Sequence, residues 1–203
     1  MKLHTTLRLL HEHGACEDRY RHLVKALGAG YGGDKPILLS RILRINGLDD
    51  TLWALRAVPD AQVEVRDRIA RLYAADCAAR VLCHYESCYP TDLRPRNAIV
   101  VARQHARGKA TDAQLRKAQG AAVVATENAP WHPAATWYAA REAARAARWT
   151  AAWSARAVGA VVWAAVAARW VRVTERTWQT KRLALYLRGG PLPRPVPLPR
   201  RKR

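Results

Sequence analysis

Ala146, Trp149, Trp153, Ala160, Ala164, Ala167, Val171 and Trp178 follow one another at steps of three, four and seven residues. At about 100° per residue this spacing places them on one stripe of a helix, with Arg141, Arg145, Arg148, Arg169, Arg172 and Arg176 outside it. Such a stripe has to be buried. Alanines let a neighbouring helix approach closely, and tryptophans fill the space at the flanks, so the pattern reads as core packing ahead of a row of base-stacking platforms.

The rest of the chain favours the same element. Alanine supplies 39 of the 203 residues and phenylalanine none, and alanine is the best helix former and a poor strand former. Leu3, Leu7 and Leu10 share the face of a first helix ending at Gly14, and a second helix is expected from Cys16 to Leu27. The glycines between Gly28 and Gly33 make a loop. Pro36 reads as an early helical residue ahead of Ile37, Leu38, Ile42 and Ile45. Asn46-Gly47 stops that helix before another carrying Leu48, Leu52, Trp53, Leu55 and Val58. Long helices follow over about 61–89, 95–107 and 113–127, the last capped at Thr111-Asp112, and the pattern is helical again from Ala134 to about Leu187. No strand pattern with turn signals is found. The expected fold is all-α, a bundle of Ala/Trp-rich helices. An N-terminal helical subdomain would cover 1–60, the main helical domain 61–188, and a disordered basic tail 189–203.

Charge is unevenly spread. Of the formal +19, residues 1–100 hold 15 basic and 12 acidic side chains, and residues 101–203 hold 20 and 4, a net of +16. That imbalance calls for an acidic partner, either an acidic protein or nucleic acid, unless it is only a solvated arginine-rich surface. The segment Met1 to Arg8 has no unbroken apolar run, so no signal peptide is expected. The uncharged run Ala157–Ala168 reaches about 18 Å as a helix against roughly 30 Å of bilayer hydrocarbon, so no membrane span is expected either. Cys16, Cys77, Cys83 and Cys88 then read as free thiols in the cytoplasm of a bacterial host.

The residues that could carry chemistry are few. Cys77, His84 and Cys88 share a helix face at i, i+7 and i+11, but Cys77 stands about 10 Å along the axis from His84, too far for one metal shell. Cys83 and His84 are adjacent and diverge by about 100° on a helix, which defeats a nucleophile pair. No nucleophile elbow or phosphate loop occurs. No cofactor is implied, and the chain reads as a non-enzyme.

Glu86 to Ile99 is the most distinctive stretch. Pro90 and Pro95 set a tight turn between helices, and Asp92 can accept backbone N–H groups at the new helix start. Arg94 and Arg96 can bridge back to Glu86 or Asp76, a corner pinned by ion pairs. Alternatively, Arg94 and Arg96, with Arg103 and Arg107 continuing the face, grip an acidic partner.

Cys77-Ala78-Ala79-Arg80-Val81-Leu82, Glu86, Tyr89-Pro90, Asp92, Arg94-Pro95-Arg96, Ala98-Ile99, Ala102-Arg103 and Arg107-Gly108 together resemble the helical immunity-protein family of polymorphic-toxin systems, an immunity-5-like domain also met in uncharacterised phage proteins. Phage relatives of that kind carry upstream segments similar to Ala15-Cys16-Glu17, Ile45 to Asp50 and Leu52 to Ala57, and an end similar to Glu175 to Leu183. The resemblance covers roughly residues 15–187. It implies an α-helical, phage-encoded, non-catalytic protein. The first expected function is then an accessory protein that binds a protein partner, as an immunity-like or counter-defence inhibitor, with Arg94, Arg96, Arg103 and Arg107 as the candidate grip.

After Gly189-Gly190 the tail places proline at every second residue from Pro191 to Pro199, which lacks PxxP spacing. With Arg194, Arg200, Arg201, Lys202 and Arg203 it is either an electrostatic arm for nucleic acid or a solubilising end. The alternative function is therefore sequence-independent nucleic-acid binding through the basic second half and this tail.

Overall fold

The computed structural model describes residues 2–28, 30–127 and 175–200. The stripe from Ala146 to Val171 lies outside them, and so do Arg201, Lys202 and Arg203. Among the described residues the protein is mostly helical, and none of its helices is long and apolar enough to cross a membrane. The chain divides into two compact units, Met1–Arg66 with Thr177–Pro193, and Asp67–Arg176 with Arg194–Arg203. The first unit thus runs a little past the expected boundary at 60 and gathers a segment from the far end of the chain.

The first unit holds β1 (His4–Thr5), α1 (Leu7–Glu12), α2 (Glu17–Leu27), β2 (Ile37–Leu38), α3 (Leu39–Ile45) and α4 (Leu48–Ala54). Two single turns of 3₁₀ helix, Leu55–Ala57 and Asp60–Gln62, follow. The β pair corrects the all-helical expectation at this end. Leu3 precedes the first helix rather than sharing it, and Pro36 leads into a strand. The two strands run antiparallel, with His4 opposite Leu38 and Thr5 opposite Ile37.

The cause is local. Thr6 is extended (φ −133°, ψ 163°) because its hydroxyl caps α1, accepting the Leu9 N–H at 3.1 Å. The residues before a cap of this kind have no helical partners, so their backbone groups must pair elsewhere. They meet the extended approach to α3, where the Leu39 N–H donates to the Leu3 carbonyl. The pair is then anchored through the fully buried Thr5, whose hydroxyl donates to the Ala57 carbonyl. Leu3, Leu7, Leu10, Leu23, Ile37, Leu39, Ile42, Leu48, Leu52 and Leu55 are buried in this unit, as are Leu183 and Tyr186 from the last helix.

The second unit takes most of α5 (Val63–Cys88), then α6 (Arg94–His105) and α7 (Asp112–Glu127). The last helix, α8 (Glu175–Leu187), begins in it. From Ile69 to Leu82 α5 is buried almost all round, with only Arg80 half-buried. Ala70, Ala74, Ala75, Ala78 and Ala79 make that possible by keeping its surface thin. Pro95 sits in the first turn of α6, where a missing N–H costs nothing. Thr111 and Gln114 close a capping box at α7: the Gln114 N–H donates to Thr111 Oγ1 at 3.2 Å and the Thr111 N–H to Gln114 Oε1 at 2.8 Å. Ala98, Ala102, Leu115 and Ala122 form one buried cluster between α6 and α7.

Gly47 caps α4 at φ 84° and ψ −169°, a region essentially closed to other residues, and no heavy atom outside its chain neighbours would crowd a Cβ there. Gly47→Ala therefore isolates backbone strain. It is expected to lower stability by about 1–3 kcal/mol, read as a lower denaturant midpoint with an unchanged slope.

Candidate functional site

The chemistry-bearing residues of the second unit lie at the α5–α6 corner. Chain direction reverses over Tyr89 to Leu93, so early residues of α6 meet late residues of α5. Arg96 pairs with Glu86, its Nε at 2.5 Å from Oε1 and Nη2 at 2.7 Å from Oε2. Further along, Arg103 Nη2 donates to Asp76 Oδ1 at 2.9 Å. The side chains of this second pair are 10% and 1% exposed, so two charges are neutralised almost out of contact with water. Arg80 donates through Nε to both carboxylate oxygens of the fully buried Glu175, at 3.1 and 3.0 Å.

Asp92 organises the turn itself. Its Oδ1 accepts the backbone N–H of Arg94 at 3.0 Å, both its oxygens accept from the Arg94 guanidinium, and Oδ2 accepts the Tyr85 hydroxyl. Burial pushes the Asp92 carboxyl up, but these donors outweigh it and hold the pKa down at about 2. Tyr85 responds in the opposite sense. Burial first, then its bond to Asp92, raise its hydroxyl above the ordinary phenol value.

Three of the four arginines expected to grip a partner are thus engaged with the chain's own carboxylates. Arg107 is exposed and donates to the Arg103 carbonyl at 3.1 Å. The corner geometry is that of the ion-pair reading.

The second occupant of this seam is one the sequence reading misses. Residues 194–200, expected to be a disordered arm, lie extended against α5 and α6. The Val196 N–H donates to Asp76 Oδ1 at 2.9 Å, and the Val196 carbonyl accepts from Arg103 Nη2 at 2.7 Å. Three residues on, the Pro199 carbonyl accepts from Arg96 Nη2 at 2.7 Å. Val196, Leu198 and Pro199 are half-buried, whereas Arg194 and Arg200, candidate nucleic-acid contacts, are exposed. The alternating prolines carried the signal: each leaves its neighbour as a residue with a free N–H in a chain already held extended.

The first unit has a separate feature. Arg19 Nε donates to Asp50 Oδ2 and its Nη2 to the Asn46 carbonyl, both at 2.8 Å. Asn46 Nδ2 returns bonds to the Arg19 carbonyl at 2.9 Å and to Asp50 Oδ2 at 2.8 Å. This knot ties α2, the end of α3 and α4 around a cavity of about 250 Å³, walled by Leu10, Tyr20, Leu23, Ile42 and Trp53 and reached by Cys16. Its volume falls just below the roughly 300–1,000 Å³ of pockets that enclose drug-sized ligands.

Among the described residues no group of His, Cys, Asp and Glu is arranged to hold a metal ion. Cys16, Cys83 and Cys88 are exposed and Cys77 is buried. A thiol reagent is expected to modify three cysteines rapidly in the native protein and the fourth, Cys77, only on unfolding. Mass mapping of the modified sites checks it.

The Asp92 network makes an acid-limb prediction. A carboxyl depressed on folding contributes stability that is complete above its unfolded pKa near 4 and is lost as pH falls through about 2. Asp92→Asn should forfeit roughly 2 kcal/mol at neutral pH. It should also flatten the fall in stability between about pH 4 and 2. Denaturant melts of both proteins across that range measure the difference.

Comparison of the chain with protein-family models, with curated proteins and with solved structures gives no match.

Proposed function

We propose that this chain is a non-catalytic accessory protein of the phage type that works by holding a protein partner, as an immunity-like or counter-defence inhibitor in the host cytoplasm. One observation supports the reading most directly. The α5–α6 seam receives an extended polypeptide through side chains that address its backbone, which is how a protein segment is held and not how a phosphate chain is. The positive charge of Arg94, Arg96 and Arg103 is already matched by Asp92, Glu86 and Asp76. Arg96 and Arg103 are mostly buried in these pairs, so a phosphate reaching either one would bring a further negative charge against Glu86 or Asp76.

Sequence-independent nucleic-acid binding is the second reading, favoured by the exposed side chains of Arg194 and Arg200 on the tail and by the basic residues that follow them. Anisotropy of a labelled random duplex at about 50 and 200 mM salt separates the two. Protein binding predicts weak association with the duplex and little change when Arg200, Arg201, Lys202 and Arg203 are replaced by Gln. Tight binding at the lower salt that collapses by about a hundredfold or more at the higher one, and that depends on those four residues, would overturn the proposal.

A further inference from the structure

We propose that the seam between α5 and α6 is a peptide-binding site whose resident ligand is the chain's own tail, and that a partner protein enters it in exchange, with an extended segment carrying a non-proline residue at the place of Val196. The inference rests on the protein-binding reading for the identity of the partner. The site itself stands on the three bonds that hold the tail.

Every one of those bonds ends on the tail's backbone. Asp76 accepts one N–H, Arg103 donates to the carbonyl of the same residue, and Arg96 donates to the carbonyl three residues later. The spacing is self-consistent. Arg103 and Arg96 are about 10 Å apart along α6, and three residues of extended proline-type chain cover about 9 Å, so the tail runs antiparallel to the helix with one guanidinium at each end. These three bonds address the backbone of the segment and not its side chains. They read extension, and one N–H at a fixed point.

That single N–H sets the register. Asp76 is 1% exposed and shares its Oδ1 between Arg103 and Val196. Sliding the tail by one residue would bring Pro195 or Pro197 to the carboxylate, and neither can donate. Only shifts by two are compatible; in the observed register Val196, Leu198 and Pro199 are half-buried while Arg194 and Arg200 are exposed. The prolines hold the segment extended before it docks, which lowers the entropy of docking. The tail is tethered through Gly189 and Gly190, both at positive φ (72° and 108°), a joint that places little restriction on where the segment goes when it leaves. A segment of another protein with the same backbone form meets the same three groups.

The test uses the full chain and two labelled peptides. One is the tail sequence from Pro191 to Arg200 with both arginines replaced by glutamine, so that it is neutral, and the other is the same peptide with proline at the valine position. Full-length Val196→Pro lacks the N–H and should release its own tail, while Val196→Ala keeps it. The neutral peptide is expected to bind the Val196→Pro protein at least tenfold more tightly than it binds wild type or Val196→Ala. In the latter two the tethered tail competes at an effective concentration of about a millimolar. Binding should persist at about 200 mM salt, and the peptide with proline at the valine position should lose at least tenfold. In wild type labelled at its C-terminus, excess neutral peptide should lower the anisotropy of the label by freeing the tail, a readout that does not depend on the folding of a variant. Equal binding of the two peptides would show that the N–H is not read and would overturn the proposal. So would equal binding to the Val196→Pro and Val196→Ala proteins, or binding only by a peptide that retains its arginines. Duplex binding by the protein with normal peptide exchange would instead remove the assigned partner and leave the site.

Discussion

Burial of the Asp76 carboxylate sets the conditions that the rest of the second unit has to meet. A carboxylate out of water is tolerable only when a cation and further donors surround it, and removing one member of such a pair typically costs about 3–5 kcal/mol. Arg103 supplies the charge from α6, which fixes the rotation of that helix against α5. Ala98, Ala102 and Ile99 are fully buried in the same helix. Arg96 and Glu86 repeat the arrangement nearer the turn, and Asp92 completes it inside the turn. The polar ladder therefore does what the thin alanine surfaces of these helices cannot. Small side chains slide past one another with little penalty, whereas ion pairs at Asp76, Glu86 and Asp92 lock the helices in one register.

The same bonds that fix the corner also explain the tail. A guanidinium has five N–H donors in a planar fork, and a single carboxylate does not use them all. Arg103 and Arg96 each spend one on a tail carbonyl, and Asp76 Oδ1 accepts the Val196 N–H beside that of Arg103. The segment is held by capacity left over from the ladder. Its seat and the helix corner are one structure, and a substitution at Asp76 or Arg103 would act on both at once. Changes to Val196 act on the seat alone.

Much of this was readable from the sequence, and the divide between what was and what was not has a physical basis. The long helices announce themselves because 3.6-residue spacing is a local property: α5, α6 and α7 lie within a few residues of their expected bounds. The corner was readable for the same reason. Pro90, Asp92 and Pro95 act on neighbours, and Arg96 reaches Glu86 across the turn as expected; Arg94 instead folds back onto Asp92 within the turn, and Asp76 is taken by Arg103. The β1–β2 pair was not readable, since two-residue strands have no alternation to detect, and they form only because Thr6 and Leu38 enter helices from extended backbone. The seat of the tail was hidden by distance. Its bonds join residues 93 to 120 positions apart and end on backbone atoms, so the alternating prolines signal an extended segment but not where it docks. The knot of Arg19, Asn46 and Asp50 is an intermediate case, because Asn46-Gly47 is legible as a helix stop, but nothing in the sequence names Arg19 as the partner.

Net charge is a poor guide to function here, for a reason visible residue by residue. The sum of +16 over residues 101–203 counts Arg103 as a cation available to a partner, although Asp76 from the first half of the chain cancels it inside the fold. Arg94 and Arg96, singled out as a grip, are cancelled likewise. On the tail Arg194 and Arg200 are exposed, on a segment whose backbone is held at Val196 and Pro199. Docking thus presents those charges in a fixed row, and release would unfasten them together. Any acidic surface that prefers one of these two states must shift the balance between them, because differential affinity is the only way a ligand can move such an equilibrium. Were such a surface to prefer one state, its binding and the seating of the tail in the seam would be coupled.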